Sequence, residues 1–504
     1  MKKRFSIACL LLAILASGVL VGCGNKTTAE TEPDTVAAVQ TETETETEAT
    51  WKTTLPDTDM GGWECRVLTI RGEGYAVTTC FKPEELTGEI VNDAMYNRDR
   101  DIEDKFNMTF TEHGREYFWE TTDEMKKYVL AGSDDYQLNM LIQRDAFALS
   151  LEGHLMPVDM LTHVQPEMPW YAQSVNTAMQ LGEKQYILYS AECLNLYEQA
   201  CMVLYNKNIW EMTSGMRESA YQLVRDGKWT YDLFMRTAEA AIADLNGDGK
   251  VSDNDRLGIV SEIDFFYPSM WVGAGFQMIE MENGTPVFTV GQNEQLLGFL
   301  TDMLRARTTK GLYFDSYEDE GVAFTQYGYD ERSRTTSRQI FESGAAAYLV
   351  HGVFDIQHIR EMEDDFGVLP LPKYDEAQAQ YCSRIIDGWL NVVPVTNQQP
   401  ENTSLILESL AEESYRSVLP AYMEVALKDK YTRDPDSAEM LDLVFSTTTV
   451  ELGDTVWQGD VRNEYVNICA SGKDTFASKT ASVQQRIDNT IATAMEKLAE
   501  LENN

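Results

Sequence analysis

Two periods of apolar residues alternate along this chain, and together they predict an α/β fold. Cys65-Arg-Val-Leu-Thr-Ile70 alternates and is β-branched, which predicts a strand. From residue 90 to 106 the apolar positions (Ile90, Ala94, Ile102, Phe106) fall at helical spacing, and Asn107-Met-Thr-Phe110 returns to strand. Strand, helix, strand is the pattern of a parallel sheet with crossover helices. Residues 120–131 read as a second helix and 136–142 as a strand. Short strands are expected at 186–189 and 202–205, and helices at 231–243, 293–306 and 338–342. Segments 345–350 and 366–369 read as strands, and the chain from Glu401 onward is mainly helical. No repeat of roughly 20–50 residues is present, which excludes a solenoid or propeller.

The N-terminus follows a different rule. Lys2, Lys3 and Arg4 precede an apolar run from Ile7 to Val21, too short for a comfortable membrane span and laid out as a secretory signal. The run ends in Leu20-Val21-Gly22-Cys23, which resembles a lipobox. The reading is a signal peptide over 1–22, a lipid anchor on Cys23, and a position at the extracytoplasmic face of the cell membrane. Residues 23–60 hold Thr-Glu alternation and almost no apolar side chains. Such a segment buries too little surface to offset its ordering entropy, so it is read as an extended tether.

Charge and cysteine usage narrow the function. A formal charge of −41 over 504 residues repels polyphosphate, so no nucleic-acid partner is expected. Roughly 440 residues remain for folding, more than one core covers, which implies two lobes. Cys65, Cys80, Cys193, Cys201, Cys382 and Cys469 are scattered without a CxxC pair, and only five histidines are present, so zinc is not supported. No GxSxG or HExxH motif appears, and no organic cofactor is expected.

Six segments in order carry a family resemblance. They are Thr87-Gly-Glu-Ile-Val-Asn-Asp-Ala-Met-Tyr-Asn-Arg98, Ala131-Gly132 before Asp135-Tyr136, Val203-Leu-Tyr-Asn-Lys-Asn208, Gly227-Lys-Trp-Thr-Tyr-Asp232 with Thr230 as an N-cap, Phe341-Glu-Ser-Gly-Ala-Ala-Ala347, and Gly367-Val-Leu-Pro-Leu-Pro-Lys-Tyr-Asp375. Together they resemble the extracellular solute-binding proteins of ABC importers, in the sugar-binding group called family 1. Ala347 and Tyr348 stand where that family often has Met. The resemblance implies a two-lobed periplasmic-binding-protein-like fold of type II, with a hinge and an interlobe cleft. On it, lobe 1 spans 61–197 with 343–390, and lobe 2 spans 198–342 with 391–504. It also implies a monomeric lipoprotein that captures a small solute, an oligosaccharide or other carbohydrate, and delivers it to an ABC permease without catalysis. The alternative is an extracellular carbohydrate-active enzyme working through paired carboxylates, or a surface glycan-binding protein.

Sugar binders use aromatic faces for C–H surfaces and carboxylates or amides for hydroxyls, at strand ends where α/β clefts form. The candidates are Arg144 and Asp145 after an expected strand, Tyr197 and Glu198 before the first lobe crossing, and Trp271 in a loop-like stretch that also holds Phe265-Phe-Tyr267. His351 and Asp355 follow the return strand, and Asp387 and Trp389 precede the next crossing. A separate motif, Asp244-Leu-Asn-Gly-Asp-Gly-Lys-Val-Ser-Asp-Asn-Asp255, has the spacing of a calcium loop. Asp244, Asn246 and Asp248 stand at positions one, three and five, the turn glycine Gly249 follows, Lys250 offers its carbonyl, and Asp255 closes the loop. Asp255 stands where an EF-hand has Glu, which resembles the dockerin-type variant. A structural Ca2+ outside the cleft is the expectation.

Overall fold

Two mixed sheets organise the molecule. The structure is a computed structural model and describes residues 55–71, 81–250, 255–315 and 335–503. The expected signal peptide, Cys23 and most of the tether lie outside the described residues. Trp51–Asn504 groups as one compact unit.

The first sheet forms as the alternation predicts. Strand β1 (Trp63–Ile70), helix α1 (Ile90–Phe106), strand β2 (Met108–Arg115), helix α2 (Phe118–Leu130), strand β3 (Leu138–Ile142) and helix α3 (Gln143–Leu151) follow one another. β1 lies between β2 and β3, parallel to both. Alternate residues of β1 pack on opposite sides. Cys65 and Val67 join Ile102 and Phe106 of α1, while Leu68 joins Met125 and Tyr128 of α2. Each fully buried aliphatic side chain stabilises by about 1.5–3 kcal/mol, so a one-residue slip of β1 would be costly. α1 stops at Asn107, held at φ 48, a left-handed conformation that Asn tolerates.

The second sheet runs in the order Phe366–Leu369, Cys201–Asn206, Ala346–Gly352, Leu257–Ser261, Tyr313–Asp315. Cys201–Asn206 is antiparallel to both neighbours, and the other pairs are parallel. Its three central strands are buried along their whole length, which explains their continuous apolar runs.

This pairing moves the expected lobe boundaries. Segment 343–390 is expected in lobe 1, yet two of its strands, Ala346–Gly352 and Phe366–Leu369, pair in the second sheet. Seven consecutive buried residues need a strand on each side, and the second sheet supplies both. The return to the first sheet comes with Trp389–Val392, antiparallel to β3 with Trp389 opposite Ile142. Segment 391–504 is likewise divided, because Ile406 and Leu410 of the helix Pro400–Glu413 pack under β1.

Two local expectations change as well. Residues 186–189 form no strand and only flank an isolated bridge between Tyr171 and Ser190. The stretch read as a loop, Phe265 to Trp271, is the buried helix Ile263–Gly273 with Pro268 inside it. One apolar core runs continuously from Leu68 and Leu141 through Leu204 and Leu349 to Leu498. The C-terminal helix Phe476–Glu502 joins the two regions. Gln484 donates to the Phe288 carbonyl at 3.3 Å near its start, and Lys184 donates to the Leu501 carbonyl at 3.2 Å near its end. Among the described residues, no helix is long and apolar enough to cross a membrane.

Candidate ligand-binding cleft

Because β1, β2 and β3 are parallel, their carboxyl ends Ile70, Arg115 and Ile142 lie along one edge, where open α/β sheets bind ligands. Trp389 is buried there among Ile70, Ile142, Phe118 and Met140. It forms the floor of the edge, not an exposed wall. The Arg144 guanidinium sits 4.9 Å above the Phe118 ring, a cation–π contact. Arg144 also reaches Asp145 at 3.4 Å and Asp387 at 3.7 Å, and donates to Gln458 at 3.1 Å. Asp387 holds φ 46, a conformation Asp accepts more readily than most residues.

From Asp387 a line of charge crosses to the second lobe. Arg462 lies 3.9 Å from Asp387 and 3.7 Å from Asp454. Asp454 takes a bidentate pair from Arg384 at 2.6 and 2.8 Å, and Arg384 donates to the Asp264 carbonyl at the start of the helix Ile263–Gly273. Arg384 and Asp454 are buried, whereas Arg144 and Asp387 stay about one quarter exposed. The line is therefore structural at its second-lobe end and open to a ligand at its first-lobe end.

Beside Arg144 lies a groove of about 600 Å³ between α3, the residues Val456 and Trp457, and the C-terminal helix. Phe147 meets Trp457 edge-on at 5.9 Å, and Asn489, Thr490, Thr493 and Lys497 supply polar groups along the helix. Arg486 at its mouth pairs with Asp460 and Glu464. Both rings are buried beneath the groove, and the amide, hydroxyl and ammonium groups along the helix are what a polyol's hydroxyls require.

The second sheet presents its own edge at Ser261, Asp315 and Gly352. His351 Nδ1 is 2.7 Å from Asp355, His351 Nε2 is 3.4 Å from Glu262, and Arg338 donates to Asp355 at 3.1 Å. The imidazole stacks on Phe265 at 3.8 Å. Burial would push the imidazole pKa down, but Asp355 and Glu262 outweigh it and raise it to about 9. Burial likewise opposes ionisation of Asp355, and the His351 and Arg338 charges reverse it, leaving that carboxyl below its ordinary value.

The expected residues thus separate into groups. Arg144, Asp145 and Asp387 come together, with Trp389 beneath them. His351 and Asp355 pair in a different, buried network. Trp271 is fully buried in the core and offers no face to a ligand, because it lies on a helix covered on all sides. Tyr197 packs edge-on against Phe445 at 5.5 Å, and Glu198 is buried. Sequence reasoning missed Phe118, Trp457, Arg384, Asp454 and Arg462. The aromatic run Tyr117-Phe-Trp119 at the start of α2 is a readable signal. The others carry none, since their partners are distant in sequence.

In the calcium motif, Asp244 accepts the backbone N–H groups of Gly247 and Gly249 at 2.6 and 2.8 Å, and Asp248 accepts that of Lys250 at 2.7 Å. Asn246 accepts that of Asp248 at 2.9 Å, and the buried Asp255 accepts that of Leu245 at 3.1 Å. Residues 251–254 lie outside the described residues. Among the described residues no three His, Cys, Asp or Glu side chains converge as a metal site.

No family profile and no curated protein matches the chain. Solved structures do. An ABC substrate-binding protein, Lmo0181 from Listeria monocytogenes in complex with cycloalternan, matches with TM-score 0.55 at 13% identity, over 86% of this chain and 99% of that one. UgpB from Mycobacterium tuberculosis in complex with glycerophosphocholine matches with TM-score 0.55 at 14% identity, over 87% and 99%. A cyclo/maltodextrin-binding protein complexed with maltotetraose matches with TM-score 0.51 at 14% identity, over 89% and 98%. The chain therefore has the two-lobed fold of ABC substrate-binding proteins.

Proposed function

We propose that this protein is a substrate-binding lipoprotein that captures an oligosaccharide and delivers it to an ABC permease. The observation that carries the reading is the groove beside Arg144 and Asp387, at the carboxyl edge of the first sheet, where amide, hydroxyl and charged groups meet in this fold. Of the solved proteins of the same fold described above, two are bound to cycloalternan and maltotetraose and one to glycerophosphocholine, which supports a glycan as the leading solute class. Closing the lobes around a sugar would exclude water and strengthen each hydrogen bond in the groove. The protein acts as a monomer held by lipid at Cys23 on the extracytoplasmic face. A thermal-shift screen of mono-, di- and tetrasaccharides, followed by small-angle scattering with each hit, tests this. A saccharide that raises the melting temperature and compacts the protein supports the proposal. Binding without compaction, or product formation from a glycan, overturns it.

We also propose that the loop from Asp244 to Asp255 takes a structural Ca2+. Its oxygen spacing supports the reading, as do Gly247 and Gly249 at φ 75 and 74, conformations that tight cation loops use.

A further inference from the structure

We propose that the groove along the C-terminal helix takes an acidic oligosaccharide, one bearing carboxylate or sulfate groups, and selects it over neutral glycans. The inference rests on the saccharide-binding reading above and narrows it to a substrate class.

The groove runs against the charge of the whole chain. Asp and Glu number 82 against 41 Lys and Arg, yet the twelve described residues that line it include three cations and no acid. Arg486 and Lys497 stand three turns apart on the helix Phe476–Glu502, about 16 Å at 1.5 Å per residue, and Arg144 faces them from α3. Cations therefore mark both ends of a channel long enough for a short oligosaccharide, with Asn489, Thr490 and Thr493 between them.

Two of the three cations keep capacity for a ligand. Among the described residues, no carboxylate comes within ion-pair distance of the exposed Lys497. Arg144 meets its two acids at 3.4 and 3.7 Å, and its Nη2 makes no hydrogen bond among the described residues. Arg486 differs, because Asp460 and Glu464 hold it, so it shapes the mouth more than it attracts. A lone ammonium beside a guanidinium with spare donors is suited to an anion, to which charged hydrogen bonds are roughly twice as strong as neutral ones.

The groups between the cations suit the sugar itself. Thr490 donates to the Arg486 carbonyl at 3.0 Å, which leaves its oxygen to accept from a hydroxyl. Asn489 accepts from Gln485 at 3.0 Å, which leaves its amide N–H groups to donate. The net negative charge of the protein does not bar such a ligand. At physiological salt, charges farther than about 8 Å are largely screened, so the lining decides.

The test is isothermal titration with tetragalacturonate, its neutral methyl ester, a chondroitin tetrasaccharide with and without its sulfates, maltotetraose and tetraglutamate. An acidic tetrasaccharide bound roughly tenfold or more tightly than maltotetraose, with an affinity that falls as sodium chloride is raised, is the expected result. Loss of tetragalacturonate binding on esterification assigns the recognised group as carboxylate, and loss of chondroitin binding on desulfation assigns it as sulfate. Lys497→Met should weaken the acidic ligand roughly tenfold and flatten its salt dependence, Lys497→Arg should keep most of both, and Lys497→Glu should weaken it further. Lys497 is exposed, so melting temperatures should match wild type in all three. Maltotetraose bound as tightly as every acidic glycan overturns the selectivity and leaves saccharide capture standing. Unchanged affinity and salt dependence in Lys497→Met overturn it too. Tetraglutamate bound as tightly as any acidic glycan would show that the groove reads charge without the sugar, which overturns both readings. Absence of binding to all six probes overturns the acidic class, and the wider saccharide screen then decides the function separately.

Discussion

Arg384 donates to the carbonyl oxygen of Asp264 at 2.8 Å, the acceptor that Pro268 leaves without its helical partner. Proline has no N–H for the residue four positions before it, and a buried carbonyl without a donor is costly. The guanidinium fills that place and uses its remaining donors on Asp454 at 2.6 and 2.8 Å. One side chain thereby repairs a helix in the second lobe and anchors the charge line that leads to Asp387 and Arg144.

Removing that guanidinium should be expensive. Arg384→Met leaves Asp454 buried beside a single more distant cation, and is expected to cost about 3–5 kcal/mol in urea unfolding. Pro268→Ala restores the helical N–H, so Arg384→Met should cost less in that background. Strict additivity of the two substitutions would show that the carbonyl is satisfied in some other way.

The His351 network makes stability depend on pH in a defined direction. The folded pKa of about 9 lies above the ordinary 6.5. The stability it contributes is therefore fully present below pH 6.5 and lost as pH rises through 9. The fall should be on the order of 3 kcal/mol, since each pH interval of one between the two values is worth about 1.36 kcal/mol. Glu262, Asp355, Arg338 and His358 are the charged or titratable groups involved. His351→Asn should flatten the unfolding free energy across this window, and an unchanged slope would assign the dependence elsewhere.

Arg144 is expected to bind ligand more than to hold the fold. Its side chain is 26% exposed, and its partner Asp387 is also part exposed and faces Arg462 at 3.9 Å. Arg144→Met should weaken binding of a saccharide hit by about 1.5–3 kcal/mol, the range for charged hydrogen bonds, with a small change in melting temperature. Calorimetry and a melting curve on the same sample separate the two effects. Intact affinity would remove Arg144 from the site.

Calcium should act on stability alone. Binding only to the folded state adds about 2.7 kcal/mol at a hundredfold excess over Kd. Chelation should lower the melting temperature, calcium should restore it, and Asp248→Ala should abolish the difference. Identical curves for metal-free protein in chelator and in millimolar calcium would dismiss the site.

The lipid anchor is checked by fractionation. Cys23→Ala should leave the membrane fraction or retain its signal peptide, whereas a processed and membrane-bound variant would contradict the assignment.

Local periodicity was enough for much of this protein. The alternation of β1, the helical spacing of α1 and the Thr230 cap, whose hydroxyl accepts the Leu233 N–H at 3.4 Å, are short-range relations written in neighbouring residues. The two-lobed fold was also legible, and Arg144, Asp145 and Asp387 were each named as candidates at strand ends, but their convergence came only with the tertiary structure. Sheet membership was not, because a buried run such as Ala346–Gly352 records only that partners exist on both sides, not which strands they are. Nor did composition separate Trp119, which is exposed, from Trp271 and Trp389, which are buried. All three are the same chemical object, and only packing by distant segments decides which ring keeps a face to water. The Arg384–Asp264 contact is the sharpest case, since a guanidinium 120 residues away completes the helix around Pro268. Elements followed from local physics, while partners and exposure were decided by the tertiary structure, where contacts between remote residues set the free energy.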